Sequence, residues 1–122
     1  MKIDVGEMTL EQINEECAFA QGWSRMNGVW LIEESKNATT GAKYRSWYCK
    51  EEDYTPTTDS KQAMDLMKAF NCGVAYIEDG LWMATVTIEE PLDVTIQYGD
   101  TPELAISKAV VKVYMKRMVG DK

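Results

Sequence analysis

Most of what the sequence says about the fold follows from one stretch, GDTPELAISKAVVKVYMK (residues 99–116). Its polar beginning has the residues of a helix start. Asp100 or Thr101 suits the N-cap, Pro102 suits the first turn, and Glu103 suits the positive end of the helix dipole. We therefore interpret this polar cluster as a cap and not as a catalytic group.

The helix that we predict from this start, over residues 101–118, is apolar on more than one side. One stripe consists of Ile106, Ala109, Val110 and Val113, and a second consists of Leu104, Val111, Met115 and Met118. Between them runs a narrow strip of Lys108, Lys112 and Lys116. A surface helix needs only one apolar face. Either the helix is deeply buried or one stripe contacts another subunit, and we favour a homo-oligomer through this helix.

Two further helices have recognisable starts. Thr9 and Gln12 form a capping box before a helical pattern of apolar residues. Asp59 caps the next helix in our interpretation, although Thr57 or Thr58 also fits. A glycine follows each pattern, at positions 22 and 73, and marks the expected end of the helix.

Alternating or apolar runs between the helices predict strands. The predicted strands cover residues 28–32, 44–49, 74–77, 81–88 and 94–98. Asp79-Gly80 indicates a tight hairpin, and residues 33–42 read as a loop. The order is α-β-β-α-β-β-β-α. We expect one α+β domain over residues 1–122, a three-layer α/β/α sandwich in which an antiparallel sheet has helices on both faces.

The composition argues against catalysis and against a bound metal or cofactor. The chain of 122 residues contains no histidine, and Cys17, Cys49 and Cys72 are widely spaced. A zinc site or a Cys-His nucleophile pair cannot be built from these residues. Adjacent carboxylates on a strand point to opposite faces, so they do not make a metal site either. We predict that the protein is not an enzyme and needs no cofactor.

Charge and hydropathy restrict the partners. The net charge of −7 opposes direct nucleic-acid binding, because such binding neutralises phosphates with basic side chains. No apolar run approaches the length of a membrane span, and the N-terminal residues lack the apolar region of a secretory signal. We expect a cytoplasmic protein.

The sequence resembles the phage ABA sandwich domain family of small tailed-phage proteins. The resemblance rests on MTLEQIN (residues 8–14) leading to Gly-Trp (22–23), on YTPTTD (54–59), on GDTPELAISKA (99–109) and on Trp82. It implies helices on both faces of an antiparallel sheet. It also implies a phage protein acting in the cytoplasm of a host bacterium, where small acidic phage proteins often counter host defence.

Within that setting, the first hypothesis is a sponge, a protein that binds and sequesters a nucleotide-derived immune signal without cleaving it. The signal would be a cyclic nucleotide or a cyclic ADP-ribose isomer, as in CBASS- or Thoeris-type defence. Such a site needs aromatic faces for bases and guanidinium groups for phosphates. The candidate ligand-binding residues are Trp23, Arg25, Arg45, Trp47, Trp82, Tyr98 and Arg117.

Each candidate also has a purely structural interpretation. Trp23 and Trp82 fit a core, Arg45 fits a surface ion pair, and Arg117 fits the negative end of a helix dipole.

The alternative hypothesis is an acidic inhibitor that binds a host defence protein directly. The chain carries acidic groups at 15–16, 33–34, 51–53 and 89–90 that could oppose a basic surface. The same groups could serve solubility alone.

Overall fold

Three helices and two small antiparallel sheets make up the fold, with one helix at its centre. A computed structural model describes residues 4–36, 43–89 and 92–120. For residues 33–36, 43–47 and 119–120 it describes the backbone alone. The helices are α1 (Leu10–Ala20), α2 (Ser60–Phe70) and α3 (Pro102–Gly120). The strands are β1 (Ser24–Met26), β2 (Val29–Lys36), β3 (Lys43–Lys50), β4 (Cys72–Glu78), β5 (Leu81–Glu89) and β6 (Leu92–Gly99). Short 3₁₀ turns lie at Val5–Glu7 and Glu51–Asp53.

The helix starts lie where the sequence predicts them. The Gln12 backbone N–H donates to Thr9 Oγ1 (3.1 Å), and the Thr9 N–H donates to Gln12 Oε1 (2.9 Å), which completes the capping box of α1. Asp59, not Thr57 or Thr58, caps α2. At α3 the Leu104 N–H donates to Thr101 Oγ1 (3.2 Å), so Thr101 makes the cap contact.

The end of α2 differs from the prediction. The helix stops at Phe70, and Asn71 takes the left-handed conformation (φ 52°) that we had assigned to a terminal glycine. Asparagine tolerates this conformation better than most residues. Gly73 consequently belongs to β4, with ordinary strand pairing to Thr85.

The strands form two separate sheets in place of the single predicted sheet. One has the order β1-β2-β3 and the other β4-β5-β6, both antiparallel. The predicted hairpin at Asp79-Gly80 is confirmed. Strand β1 was not predicted, and β2 continues to Lys36 where we expected a loop. Residues 37–42 of that expected loop lie outside the described residues.

Helix α3 contacts both the β4–β6 sheet and the other two helices. It packs on β4, β5 and β6, and on α1 and α2. Val110 of the first stripe and Val111 of the second are both completely buried within this one chain. Cys17 Sγ of α1 donates to the Ser107 carbonyl oxygen at 3.5 Å, which shows how closely α1 approaches. Burial within the chain therefore accounts for the first stripe and for Val111, whereas Met118 at the end of the second stripe is 57% exposed. A homo-oligomer through residues 101–118 stays a prediction.

The opposite face of the β4–β6 sheet has no helix of the described chain on it, which corrects the prediction of helices on both faces. We call it the outer face. It consists of Gly73, Ala75, Leu81, Met83, Thr85, Thr87, Glu89, Leu92, Val94, Ile96 and Tyr98, and Ile77 follows Ala75 on β4 at a register shift. The alternation along β6 is clear, because Thr95 is buried toward α3 while Val94 and Ile96 are exposed. Within the described residues, no helix is long and apolar enough to cross a membrane.

The junction between β6 and α3 tests this packing. A Cβ atom at Gly99 would lie 2.7 Å from the Ala105 backbone nitrogen, whereas one at Gly73 would meet nothing within 4 Å. We expect Gly99→Ala to lower the free energy of unfolding by about 1–3 kcal/mol, because the backbone must move apart. Urea denaturation at low protein concentration measures this. Gly73→Ala is the control and should change stability by less than about 0.5 kcal/mol; equal losses would refute the close approach.

Candidate functional site

A pocket of about 390 Å³ lies between α1, β2 and the segment that follows β3. Its described lining consists of Glu11, Asn14, Glu15, Trp30, Glu51, Glu52, Tyr54 and Thr55. Four of these are glutamates, and none of the described lining residues is a lysine or an arginine. We call it the acidic pocket.

Helical spacing supplies one wall of the acidic pocket. Glu11, Asn14 and Glu15 stand at i, i+3 and i+4 in α1, so their side chains share one face. Asn14 also fixes the opposite wall, because its Oδ1 accepts hydrogen bonds from the Thr57 N–H (3.1 Å) and hydroxyl (2.9 Å). The Thr55 N–H donates to Gln62 Oε1 at 2.7 Å, which ties the same segment to α2.

Two buried aromatic residues form the floor of the acidic pocket. Trp30 is only 2% exposed and Tyr54 only 3%. Trp30 packs edge-on against Phe19, with ring centroids 5.2 Å apart. The Tyr54 hydroxyl accepts a hydrogen bond from Gln21 Nε2 at 2.7 Å, and burial raises the pKa of Tyr54, so the phenol stays neutral. The floor is therefore uncharged, while the rim carries carboxylates.

Arg25 occupies one side of this carboxylate rim. Its Nη1 donates to Glu15 Oε2 (2.8 Å) and to Glu51 Oε1 (2.7 Å). The guanidinium carbon lies 5.1 Å from the centroid of Phe19 and 5.4 Å from that of Trp30, at cation–π distance. Hydrogen bonds to Glu15 and then Glu51 raise the pKa of Arg25.

The remaining two carboxylates of the rim are not neutralised. Within the described part of the chain, Glu11 and Glu52 have no ion-pair partner. One arginine thus faces four glutamates in and beside the pocket. The local charge opposes an anionic ligand and favours a cationic one.

The residues predicted for a nucleotide site do not all come together. Four of the seven belong to the β1–β3 sheet or precede it directly: Trp23, Arg25, Arg45 and Trp47. Trp23 is half-buried between Tyr48 (4.7 Å) and Tyr54 (4.8 Å), consistent with its core interpretation. The backbones of Arg45 and Trp47 pair with Glu33 and Leu31, and their side chains lie outside the described part.

The other three predicted residues lie on the second sheet and on α3. Trp82 is half-buried and packs edge-on against Tyr76 at 5.2 Å, on the sheet face that α3 covers. Tyr98 is 49% exposed on the outer face, so it cannot share a stacking site with Trp82. Arg117 is exposed on α3 and lines a smaller cavity of about 220 Å³ beside Phe70.

The glutamates of the acidic pocket were missed as a group. The sequence shows the clusters at 15–16 and 51–53, but they are far apart along the chain and no local pattern connects them. The β1–β2 hairpin brings them together: Arg25 pairs with Trp30 across it, and the Glu51 N–H donates to the Gly28 carbonyl (2.8 Å). The Asn27-Gly28 turn was the one local signal that could have revealed this hairpin.

Compared with known proteins, the chain matches no protein-family model and no curated protein. Among residues 4–36, 43–89 and 92–120, no group of three or more cysteine, aspartate or glutamate side chains is arranged to hold a metal ion. Burial raises the pKa of Cys72 to about 11, and it raises those of Cys17 and Cys49 as well. These thiols are weak nucleophiles at neutral pH.

Two substitutions of Arg25 distinguish the contribution of its ion pairs to stability from that of its cation–π contacts. Arg25→Met should lower the free energy of unfolding by about 1–2 kcal/mol at low salt, since two partly exposed ion pairs and a cation–π contact are lost. Arg25→Lys should lose about half as much, because one ammonium can replace the single nitrogen that donates to both carboxylates. Urea denaturation at about 50 mM and at about 1 M NaCl measures the stability loss of both variants, because exposed charges are screened weakly at the lower salt and strongly at the higher one. Equal losses for the two variants would mean that the ion pairs contribute nothing.

The crowding of carboxylates on α1 predicts a dependence on pH. Burial, and then the neighbouring Glu15, raise the pKa of Glu16. An acid whose pKa is raised by folding destabilises the folded state when it is ionised, and this cost disappears as the pH falls below its unfolded pKa of about 4.3. Glu16→Gln should therefore raise stability at pH 7 by less than about 1 kcal/mol.

The same Glu16→Gln variant should lose its advantage at about pH 3.5, below the unfolded pKa, in urea denaturation. Glu78→Gln, at an exposed position on β4, removes the same charge and is the matched control. A Glu16→Gln advantage that persists undiminished in acid would rule out ionisation as its cause.

Proposed function

We propose that the protein is a binding protein without catalytic activity, and that its acidic pocket takes up a basic side chain of a partner protein. The observation that carries this proposal is the combination in one cavity of four glutamates with a floor of Trp30 and Tyr54. Carboxylates attract a cation, and a guanidinium, which is planar and weakly hydrated, can pair with two carboxylate oxygens at once.

Arg25 supports the same chemistry from within the chain. It already combines two carboxylates with two aromatic rings at the edge of the pocket. Glu11 and Glu52 line the same pocket and make no ion pair within the described residues, so they are available to a second cation. An arginine of a partner would pair with carboxylates there as Arg25 already does.

The net charge of −7 extends the proposal from one side chain to a surface. An acidic protein is drawn to a basic partner over several ångströms, which speeds association and makes it sensitive to salt. In the phage setting that the resemblance implies, the partner is a host defence protein in the bacterial cytoplasm. Occupation of its basic surface, for instance one that contacts nucleic acid, would inhibit it.

The nucleotide-sponge hypothesis stays a separate prediction. In the acidic pocket the phosphates of a nucleotide would face four carboxylates, and Arg25 is already engaged with two of them. A nucleotide site would have to use other predicted residues, such as Arg45 and Trp47 on β3 or Arg117 on α3.

A nona-arginine peptide tests the proposed function by isothermal titration calorimetry. We expect binding that weakens as NaCl rises from about 50 to about 500 mM, because exposed charges are screened. Glu11→Gln combined with Glu52→Gln should weaken binding roughly tenfold at low salt, since two charge pairs of about 0.5–1 kcal/mol each are lost.

The control for that experiment removes the same charge elsewhere. Glu78→Gln combined with Asp100→Asn changes two exposed carboxylates outside the pocket. If this control weakens the peptide as much as the pocket variant does, the net charge and not the pocket binds the peptide. A thermal-shift screen with cyclic nucleotides and cyclic ADP-ribose isomers runs in parallel, and a shift that Arg45→Ala abolishes would favour the sponge instead.

A further inference from the structure

The outer face of the β4–β6 sheet is a second candidate interaction surface, with a different chemistry from the acidic pocket. Its one charged residue is Glu89, at the end of β5 opposite Leu92, in a chain where 27% of residues are charged. Leu92 is 74% exposed, and Val94, Ile96 and Tyr98 are 46–49% exposed. An apolar surface this continuous is typical of an interaction site.

The outer face has the profile of a wedge. In the rows of Ile96 and Tyr98, strand β6 contributes the large side chains, β5 the medium ones, and β4 only Gly73 and Ala75. The large Ile77 of β4 lies beyond these rows, at a register shift. The strand register places these in rows: Ile96 lies beside Thr85 and then Gly73, and Tyr98 lies beside Met83 and then Ala75. In these two rows the face is therefore high along β6 and low along β4.

Gly73 at the low edge is not required by the chain itself. Its φ lies outside the left-handed region, and a Cβ atom added to it would meet nothing within 4 Å. Gly99 differs in this respect, because α3 leaves no space for a Cβ there. The absence of a side chain at Gly73 thus produces a hollow that no described part of the chain fills.

We propose that a second copy of the chain covers the outer face, related by a twofold axis parallel to β5. This rotation places the high edge of each sheet over the low edge of the other. Tyr98 then packs over Ala75 of the partner subunit, and Ile96 packs over Gly73 of the partner subunit. Strand β5 faces its own copy. Large side chains over small ones keep the two sheets at the even separation of about 10 Å that packed sheets adopt.

A twofold axis perpendicular to the strands would fit worse. It would place β6 over the β6 of the partner and β4 over the β4 of the partner. Tall side chains would then collide along one edge while a gap opened along the other, and close packing excludes both. The wedge therefore selects one of the two symmetric arrangements.

Charge differs between the middle and the end of the proposed contact. The rows of Ile96 and Tyr98 contain no charge, so they can be buried without desolvating a carboxylate. At the end of β5 the axis brings Glu89 toward Glu89 of the partner subunit, and a basic partner would have only this carboxylate to pair with on the outer face. This contact and the net charge of −7 on each copy oppose the dimer, and salt should reduce that repulsion.

The area of the face determines how strong the dimer is. Three strands about 4.8 Å apart and about eight residues long cover roughly 400 Å². Two copies would then bury about 800 Å² in total, below the roughly 1,200 Å² of standard stable interfaces. The dimer is accordingly weak and forms in a concentration-dependent manner.

Sedimentation equilibrium of the full chain, from about 10 µM to about 1 mM at low and high NaCl, tests the proposal. We expect dimers at the upper concentrations and tighter association at the higher salt. Tyr98→Lys and Ala75→Glu should each weaken association at least tenfold. Met64→Lys is the control, because Met64 is equally exposed (54%) but lies on α2, and it should leave association unchanged. Circular dichroism and thermal unfolding verify that each variant is folded.

The decisive measurement mixes the two variants. The proposed axis places position 98 of one subunit over position 75 of the other, so the introduced lysine of one variant would lie over the introduced glutamate of the other. An equimolar mixture of Tyr98→Lys and Ala75→Glu should therefore recover heterodimers where neither variant alone forms dimers.

Two results would overturn the proposal. A mixture that stays monomeric overturns the arrangement. A wild-type protein that is monomeric at the highest concentration and salt overturns the dimer, and the outer face then belongs to a different protein. Neither result depends on the acidic pocket.

Discussion

The burial of α3 between the β4–β6 sheet and the other two helices is the constraint on which the rest of the structure depends. A helix that is apolar on nearly every side can only be stable when other elements surround it. The β4–β6 sheet covers one side, and α1 and α2 cover the others. Its lysine strip is also satisfied, because Lys108 donates to the Tyr98 carbonyl, Lys112 pairs with Asp4, and Lys116 pairs with Asp93.

Local chemistry was sufficient to predict the helix starts and one hairpin. Thr9, Asp59 and Thr101 cap helices because their side-chain oxygens reach a backbone N–H three residues on, which the sequence shows directly. The division into two sheets was not predictable, because strand partners are chosen by packing across the whole chain. The acidic pocket was beyond reach for the same reason: its two glutamate clusters are visible in the sequence, but only the fold brings them to one cavity.

The two sheets provide two surfaces of contrasting chemistry. Beside the β1–β3 sheet, carboxylates surround an aromatic floor, and the interactions proposed there are electrostatic and directional. On the β4–β6 sheet, the outer face carries one carboxylate, Glu89 at the strand end, and its proposed interactions depend on shape. Helix α3 covers the inner face of the β4–β6 sheet, and α1 and α2 pack against α3. Because the acidic pocket and the outer face share no residues, a substitution on one surface can leave the other intact.

The central position of α3 also has a consequence for biosynthesis. The ribosome makes α1, α2 and both sheets before it makes residues 102–113, against which α1, α2 and the β4–β6 sheet all pack. Until that segment emerges from the ribosome, the apolar faces of α1, α2 and the β4–β6 sheet lack the helix against which they pack. Contacts between such distant parts of the sequence also slow folding. The chain therefore completes its core only after α3 has been made, and it is most exposed to aggregation and to chaperones just before then.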